Sequence, residues 1–190
     1  MQAVRESDLI QFAKGLLLEN LQYGTSKRSD YGVDGIPVLR IPNISSGRLS
    51  LSDLKFARLD KREADSLALR SSDLLMIRSN GSAQLLGRAV LVTEAACGMA
   101  YAGYLMRLRV DTDVLSPQYL ALALSTPQVR TQIEMPVRST SGVHNINSEE
   151  VGGLVIPLPS MEEQIEIVQR ASSLSERSES VPLFLCLEHI

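Results

Sequence analysis

The 190-residue chain has no tryptophan, two cysteines, two histidines and only 4% aromatic residues. Each shortage removes a class of function. Without aromatic platforms, the stacking of unpaired bases used by single-strand binders is poorly supported. Cys97 and Cys186 lie 89 residues apart. That is no metal-ligand spacing and implies no disulfide framework, so two reduced and mostly buried thiols are expected. A Cys97–His144 dyad is poorly supported, because no cation adjoins Ala-Ala-Cys-Gly in sequence to lower the thiol pKa. The other histidine, His189, lies in the tail, which leaves a zinc site equally weak. Walker and Gly-x-Gly-x-x-Gly motifs are missing, and so is any adenine-methylating signature. No phosphoryl or methyl transfer, and no cofactor, is expected of this chain. No apolar run approaches the roughly 20 residues of a membrane span. Met1-Gln-Ala-Val-Arg-Glu-Ser-Asp8 does not read as a signal peptide, so a cytoplasmic protein is expected.

What remains is an ordinary globular balance, 44% apolar and 22% charged, enough for one sizeable domain or one domain with an appendage. The net charge of −3 hides an asymmetry. Residues 1–147 hold 17 Lys/Arg against 14 Asp/Glu, and residues 148–190 hold 2 against 8. Lys27, Arg28, Arg40, Arg48, Lys55, Arg58, Lys61 and Arg62 crowd into 36 residues. They read either as a solvated face or as an electrostatic footprint for phosphates. The acidic tail would be kept off a polyanion and left for protein contacts.

Leu9, Phe12, Ala13, Leu16 and Leu17 recur at helical spacing behind Ser7 and Asp8, which predicts a first helix. Tyr23 to Gly35 reads as a long polar loop, the kind that is usually functional or disordered. Strands are predicted over Ile36–Ile41, at the end of Leu67–Arg78, and over Leu86–Val92. Tyr104–Val110 is a further strand, half-buried by its alternation, and Leu154–Pro157 is the last. Ser116-Pro117 and Thr126-Pro127 each pair a capping hydroxyl with a first-turn proline, opening helices Pro117–Leu124 and Pro127–Glu134. Ser160 and Glu163 form a capping box. The helix behind it presents Ile165, Ile167, Val168, Ala171 and Leu174, then fades into serines and an apolar tail, Val181–Ile190. Such a helix needs a partner surface for its apolar side.

Three polar segments carry the candidate contacts. Arg78-Ser-Asn-Gly-Ser82 follows a buried strand. Arg suits guanine O6 and N7, Asn suits adenine N6 and N7, and Ser oxygens and turn amides suit phosphate. The plainer reading is a tight Asn-Gly turn with Arg78 in a structural ion pair. Tyr23, Thr25, Ser26, Lys27 and Arg28 form the second set. Ser139, Thr140, Ser141, His144, Asn145 and Asn147 form the third.

In order along the chain, six stretches resemble the specificity subunits of type I restriction–modification systems. They are Tyr23-Gly-Thr-Ser-Lys27, Pro37-Val-Leu-Arg-Ile-Pro-Asn-Ile44, Asp73-Leu-Leu-Met-Ile-Arg-Ser-Asn-Gly-Ser82, Tyr104-Leu-Met-Arg-Leu108, His144-Asn-Ile-Asn147 and Ile156-Pro-Leu-Pro-Ser-Met-Glu-Glu-Gln-Ile-Glu-Ile-Val168. Each is weak alone, and the ordered set is specific. The resemblance implies a target recognition domain, residues 1–158, that docks in the major groove and reads one half of a split double-stranded DNA target. Residues 159–190 would be the start of a spacer helix with an unrelated apolar tail. It also implies partners: a methylase subunit that uses S-adenosylmethionine, and a restriction subunit where one is present. No catalysis would reside in this chain. Family members usually carry two recognition domains and two long helices. This chain is then a natural half-subunit, a fragment or a truncated copy, and two copies, or this chain and a second half-subunit, could pair on a split site.

The expected fold is α+β: a curved β platform with short helices and a C-terminal helical arm. Lys27, Arg28, Arg40 and Asn43 are expected at DNA. Arg78, Ser79, Asn80 and Ser82, common to the family, are assigned first to backbone contact or scaffold. Base choice is assigned to residues 26–34 and part of 139–145. Ile165, Val168, Ala171 and Leu174 are expected at the methylase. Two rivals remain open: a small hydrolase or metal-dependent nuclease, and a degenerate assembly module that binds methylase subunit without specific DNA binding.

Overall fold

A computed structural model describes residues 9–11, 18–134 and 142–177, with side chains from 20 to 134 and from 142 to 174. The strand β5 (Leu74–Ile77) lies at its centre, with all four residues buried. Side chains alternate across a strand, so these four divide between two cores. Leu74 and Met76 join one apolar cluster, and Leu75 and Ile77 join the other. The neighbouring strand β9 (Leu105–Val110) divides in the same way. Met106, Leu108 and Val110 enter the first cluster and Leu105 the second.

The central sheet runs β2 (Leu18–Tyr23), β9, β5, β7 (Ala89–Leu91), antiparallel throughout. On its first face pack α2 (Pro117–Ala123), α3 (Pro127–Glu134), α4 (Ser148–Gly152) and β11 (Val155–Pro157). On the second lies a small sheet of β4 (Lys55–Ala57), β3 (Ile36–Leu39) and β8 (Ala100–Tyr101). The helix α1 (Lys61–Leu67) closes that side with Leu67. The architecture is mixed α+β with mostly antiparallel pairing.

The β9 alternation therefore has a different meaning from the expected half-buried strand: both faces are covered. Arg107, only 3% exposed, lies within the second layer. Its guanidinium donates to the carbonyls of Ser66 and Ala68 and to the side-chain oxygens of Asn20 and Gln22. Arg109 makes a two-pronged bond to Asp73, 2.7 Å on each side. A charge this deep persists only when most of its donors find oxygen partners, as both terminal nitrogens of Arg107 do.

Residues 9–11 correct the expected first helix. They form β1 (Leu9–Gln11), antiparallel to β11 with Ile10 opposite Ile156. Phe12 to Leu17 lie outside the described residues. A partner strand 146 positions away leaves no mark in local periodicity, so the helical spacing misleads at Leu9. Both proline-opened helices form, but their caps differ. The Ser116 hydroxyl accepts from the Tyr119 amide, whereas Thr126 donates its hydroxyl to the Ala123 carbonyl, 2.7 Å away. Cys97 is exposed rather than buried.

The last helix, α5 (Met161–Arg177), starts on its capping box. The Glu163 amide donates to the Ser160 hydroxyl, and the Glu163 carboxylate accepts from the Ser160 amide at 2.9 Å. One turn in, Gln164 is wholly buried. Its amide nitrogen donates to the carbonyls of Val114 and Pro159, and its oxygen accepts from the Ser116 amide at 2.8 Å. Val168 and Ala171 continue this inward face onto the first cluster and its neighbours. Ile165, Ile167 and Leu174 point outward. Among the described residues, no helix is long and apolar enough to cross a membrane.

Candidate nucleic-acid interface

Between the 25–29 loop, the 40–42 turn and the β8–β9 turn, the chain opens into a groove of about 710 Å³. Its walls come from five separate segments, held together by backbone bonds. The Thr25 amide donates to Tyr101, and Gly103 donates back to the Thr25 carbonyl at 2.7 Å. Arg78 donates to Tyr104, and Ile146 donates to the Arg78 carbonyl. The first crossing depends on Gly24: a Cβ there would overlap the carbonyl oxygens of Tyr101 and Ala102. The Tyr-Gly-Thr order thus brings a polar loop flush against the β8–β9 turn.

Thr25, Ser26, Lys27, Arg28, Arg40, Arg78, Ser79 and Asn145 all line this groove. The three polar segments singled out in the sequence therefore converge. Their side chains do not all face outward. Thr25 is buried, donating to Glu63 and accepting from the Lys27 amide. Ser79 is buried in β6 (Ser79–Asn80), which pairs with β10 (His144–Asn145). Arg78 lies over the Tyr23 ring, 4.4 Å from its centroid, and donates to the Gly103 carbonyl. This replaces the expected structural ion pair, and it uses a cation–π contact in a chain poor in aromatics. Asn80 accepts from the Ser82 amide at 2.7 Å, closing the turn through its side chain.

Asn43 is the clearest correction. It is buried, its oxygen accepts from the Arg40 amide and its nitrogen donates to the Ser50 and Asp53 carbonyls. All its capacity is spent on shaping the 3-10 turn at 41–43, so it is not at a DNA-facing surface. Tyr23, Asn80, Ser82 and His144 do not line the groove. Ser139, Thr140 and Ser141 lie outside the described residues.

Two features were not anticipated. The first is Tyr104, 62% exposed on the groove wall. Its sequence signals were a Gly-Tyr pair between two short strands and its place at the head of the Tyr104–Leu108 stretch, neither of which marked it as a contact residue. The second is a set of carboxylates behind the cations. Lys27 reaches Glu63 at 2.6 Å and Asp60 at 3.6 Å. Arg28 pairs with Asp30, Lys55 with Asp30, and Arg40 with Asp53 at 2.8 Å. The Tyr31 hydroxyl also donates to Asp53, and Lys55 stands over the Tyr31 ring. The hydrogen bond to Glu63 holds the Lys27 ammonium above its ordinary pKa. The same bond, with that from Thr25, holds Glu63 below the usual glutamate range. Asp53 is lowered by its bonds from Tyr31 and Arg40.

No family model matches the chain. It is 30% identical over 166 residues to the EcoKI type I restriction enzyme specificity subunit of Escherichia coli K12, a match that covers 87% of this chain and 36% of that protein. It is 26% identical over 167 residues to the StySPI specificity subunit of Salmonella potsdam, covering 88% of this chain and 36% of the relative. The chain thus spans about a third of the length of the relatives it matches. Its fold is similar to the crystal structure of the HsdS subunit from Thermoanaerobacter tengcongensis. There the TM-score is 0.64 at 16% identity, with 90% of this chain and 42% of that one covered.

Proposed function

We propose, on the premise that this chain is a relative of the specificity subunits of type I restriction enzymes, that it reads one half of a split double-stranded DNA target for a methylase complex. The observation that carries this reading is the convergence of three polar segments, with Lys27, Arg28, Arg40 and Arg78, in one open groove. The reading makes residues 1–158 a recognition domain whose β platform is curved to fit a duplex. Exposed cations supply the salt-dependent part of affinity. Ser26, Asn145 and Tyr104 reach bases from the groove wall. Residues 159–190 begin a helical spacer whose outward Ile165, Ile167 and Leu174 meet the methylase subunit, while Val168 and Ala171 anchor the helix to its own domain. The chain itself catalyses nothing. S-adenosylmethionine belongs to the methylase subunit, DNA cleavage belongs to a restriction subunit, and a second copy or half-subunit completes the split site.

Co-expression with a methylase subunit, followed by sequencing of methylated adenines, tests this. A defined half-site motif is expected, and methylation without any motif would overturn the reading. One observation favours a second reading: three of the groove cations already hold carboxylates. A degenerate assembly module would co-purify with the methylase subunit yet give no mobility shift on any duplex.

A further inference from the structure

We infer that Asp30, Asp53 and Glu63 are specificity-determining residues that cap three of the groove cations, Arg28, Arg40 and Lys27, so that a DNA phosphate binds these three only by displacing a carboxylate. This rests on the duplex-reading function proposed above. Lys27, Arg28 and Arg40 line the groove; their carboxylate partners do not. Each cation therefore borders the channel while bonded to a carboxylate outside its lining. The caps are interlinked. Asp30 holds both Arg28 and Lys55, Asp53 holds Arg40 and the Tyr31 hydroxyl, and Glu63 holds Lys27 and the Thr25 hydroxyl.

Exposure makes the Arg28–Asp30 pair the most readily exchanged, followed by Lys27–Glu63, with Arg40, 21% exposed, the most sheltered cation. The Lys27 side chain is 45% exposed and that of Arg28 is 89% exposed. Ion pairs in such surroundings are weak, and a phosphate offers a comparable anion. The exchange leaves a carboxylate facing a polyanion, which repels it. Backbone contact alone then yields little, and matched base contacts must supply the remainder. Specificity here comes from weakening the wrong complexes as much as from favouring the right one. Arg78 stands outside this arrangement, since its partners are a neutral ring and a carbonyl.

The test is fluorescence anisotropy of the full chain with a labelled mixed-sequence duplex across a sodium chloride titration. Glu63→Gln keeps an oxygen for the Thr25 hydroxyl, and Asp30→Asn keeps one for the Tyr31 amide. Each should bind the duplex about twofold to fivefold more tightly at low salt. Each should also steepen the salt slope by up to about 0.9, one phosphate's worth. Glu162→Gln, the same charge change on the first turn of α5, should do neither. Adding Lys27→Ala should abolish the gain from Glu63→Gln. If the parent binds and Lys27→Ala weakens it, but both caps can be removed without gain, the caps are structural and this inference fails alone. If Glu162→Gln gains as much as the caps, the effect is net charge and the inference again fails. If neither parent nor variants bind, the duplex-reading function falls, and the inference with it. Should Glu63→Gln lower the melting temperature, Asp30→Asn decides.

Discussion

Arg107 and Arg109 on one strand, and Lys27 and Arg28 on the adjoining groove rim, all hold oxygen ligands, but in opposite solvent conditions. The strand arginines sit between two apolar layers, and Asp73, the Arg109 partner, is 1% exposed. Their bonds cannot be traded for water without stranding a charge. The rim cations reach solvent, Arg28 at 89% and Lys27 at 45% exposure, and their bonds can be traded at little cost. The same residue types thus serve as framework in one place and as exchangeable contacts in the other. Burial decides which, and composition alone cannot.

Four substitutions and one change of pH would break or sharpen that division. The largest effect belongs to the framework. Asp73→Ala leaves the Arg109 guanidinium without its two-pronged partner and removes the acceptor of the Arg70 amide. It should cost about 3–5 kcal/mol in urea unfolding. A loss under 1 kcal/mol would show that this pair is as disposable as those on the rim. Next, Ala171→Asp drives a charge into the buried face of α5 and should cost about 2–3 kcal/mol. Ile165→Asp on the outward face should leave the melting temperature nearly unchanged while ending co-purification with a methylase subunit. If both variants melt like the parent, α5 is not docked as described.

Gly24→Ala comes third, at about 1–3 kcal/mol in the same unfolding assay, because a methyl group meets two carbonyls there. It should also open the groove, which amide hydrogen exchange at Thr25 and Gly103 would report. Unchanged protection at both amides would argue against that crossing. The smallest effect is a pH dependence. Glu63 is held below its ordinary pKa by bonds from Lys27 and Thr25. Its contribution is therefore complete above the unfolded value of about 4.3 and is lost as pH falls through the lowered, folded value. The melting temperature of the parent should fall toward that of Glu63→Gln as acid is added below about pH 4. Curves that stay parallel would sink this assignment.

How far residues could be read in advance depended on the range of their interactions. The Ser160–Glu163 box and the Ser116 cap form within one helical turn, and both were legible. The four apolar residues of β5 announced a buried strand, and the sequence also marked the polar segments that now share a groove. Direction was not legible. Thr25, Asn43 and Ser79 look like surface donors and acceptors, yet all three are buried, and Thr25 and Asn43 bond to carboxylate and backbone groups that only the folded chain brings near. Glu63 was invisible as a site residue because its partners lie 36 and 38 positions back. Leu9 misled for the same reason, its true neighbour being Pro157.

Gln164 has a mechanical consequence. One side-chain amide ties the base of α5 to three backbone groups in two different loops, which leaves the helix no free pivot there. A rod of 17 residues, about 26 Å long at 1.5 Å per residue, magnifies any tilt at its root into travel at its tip. Clamped this way, it becomes a bearing rather than a tether. Whatever grips the outer turns is held at a set angle to the groove, and strain applied at the tip is felt first by the loop carrying Val114 and Ser116.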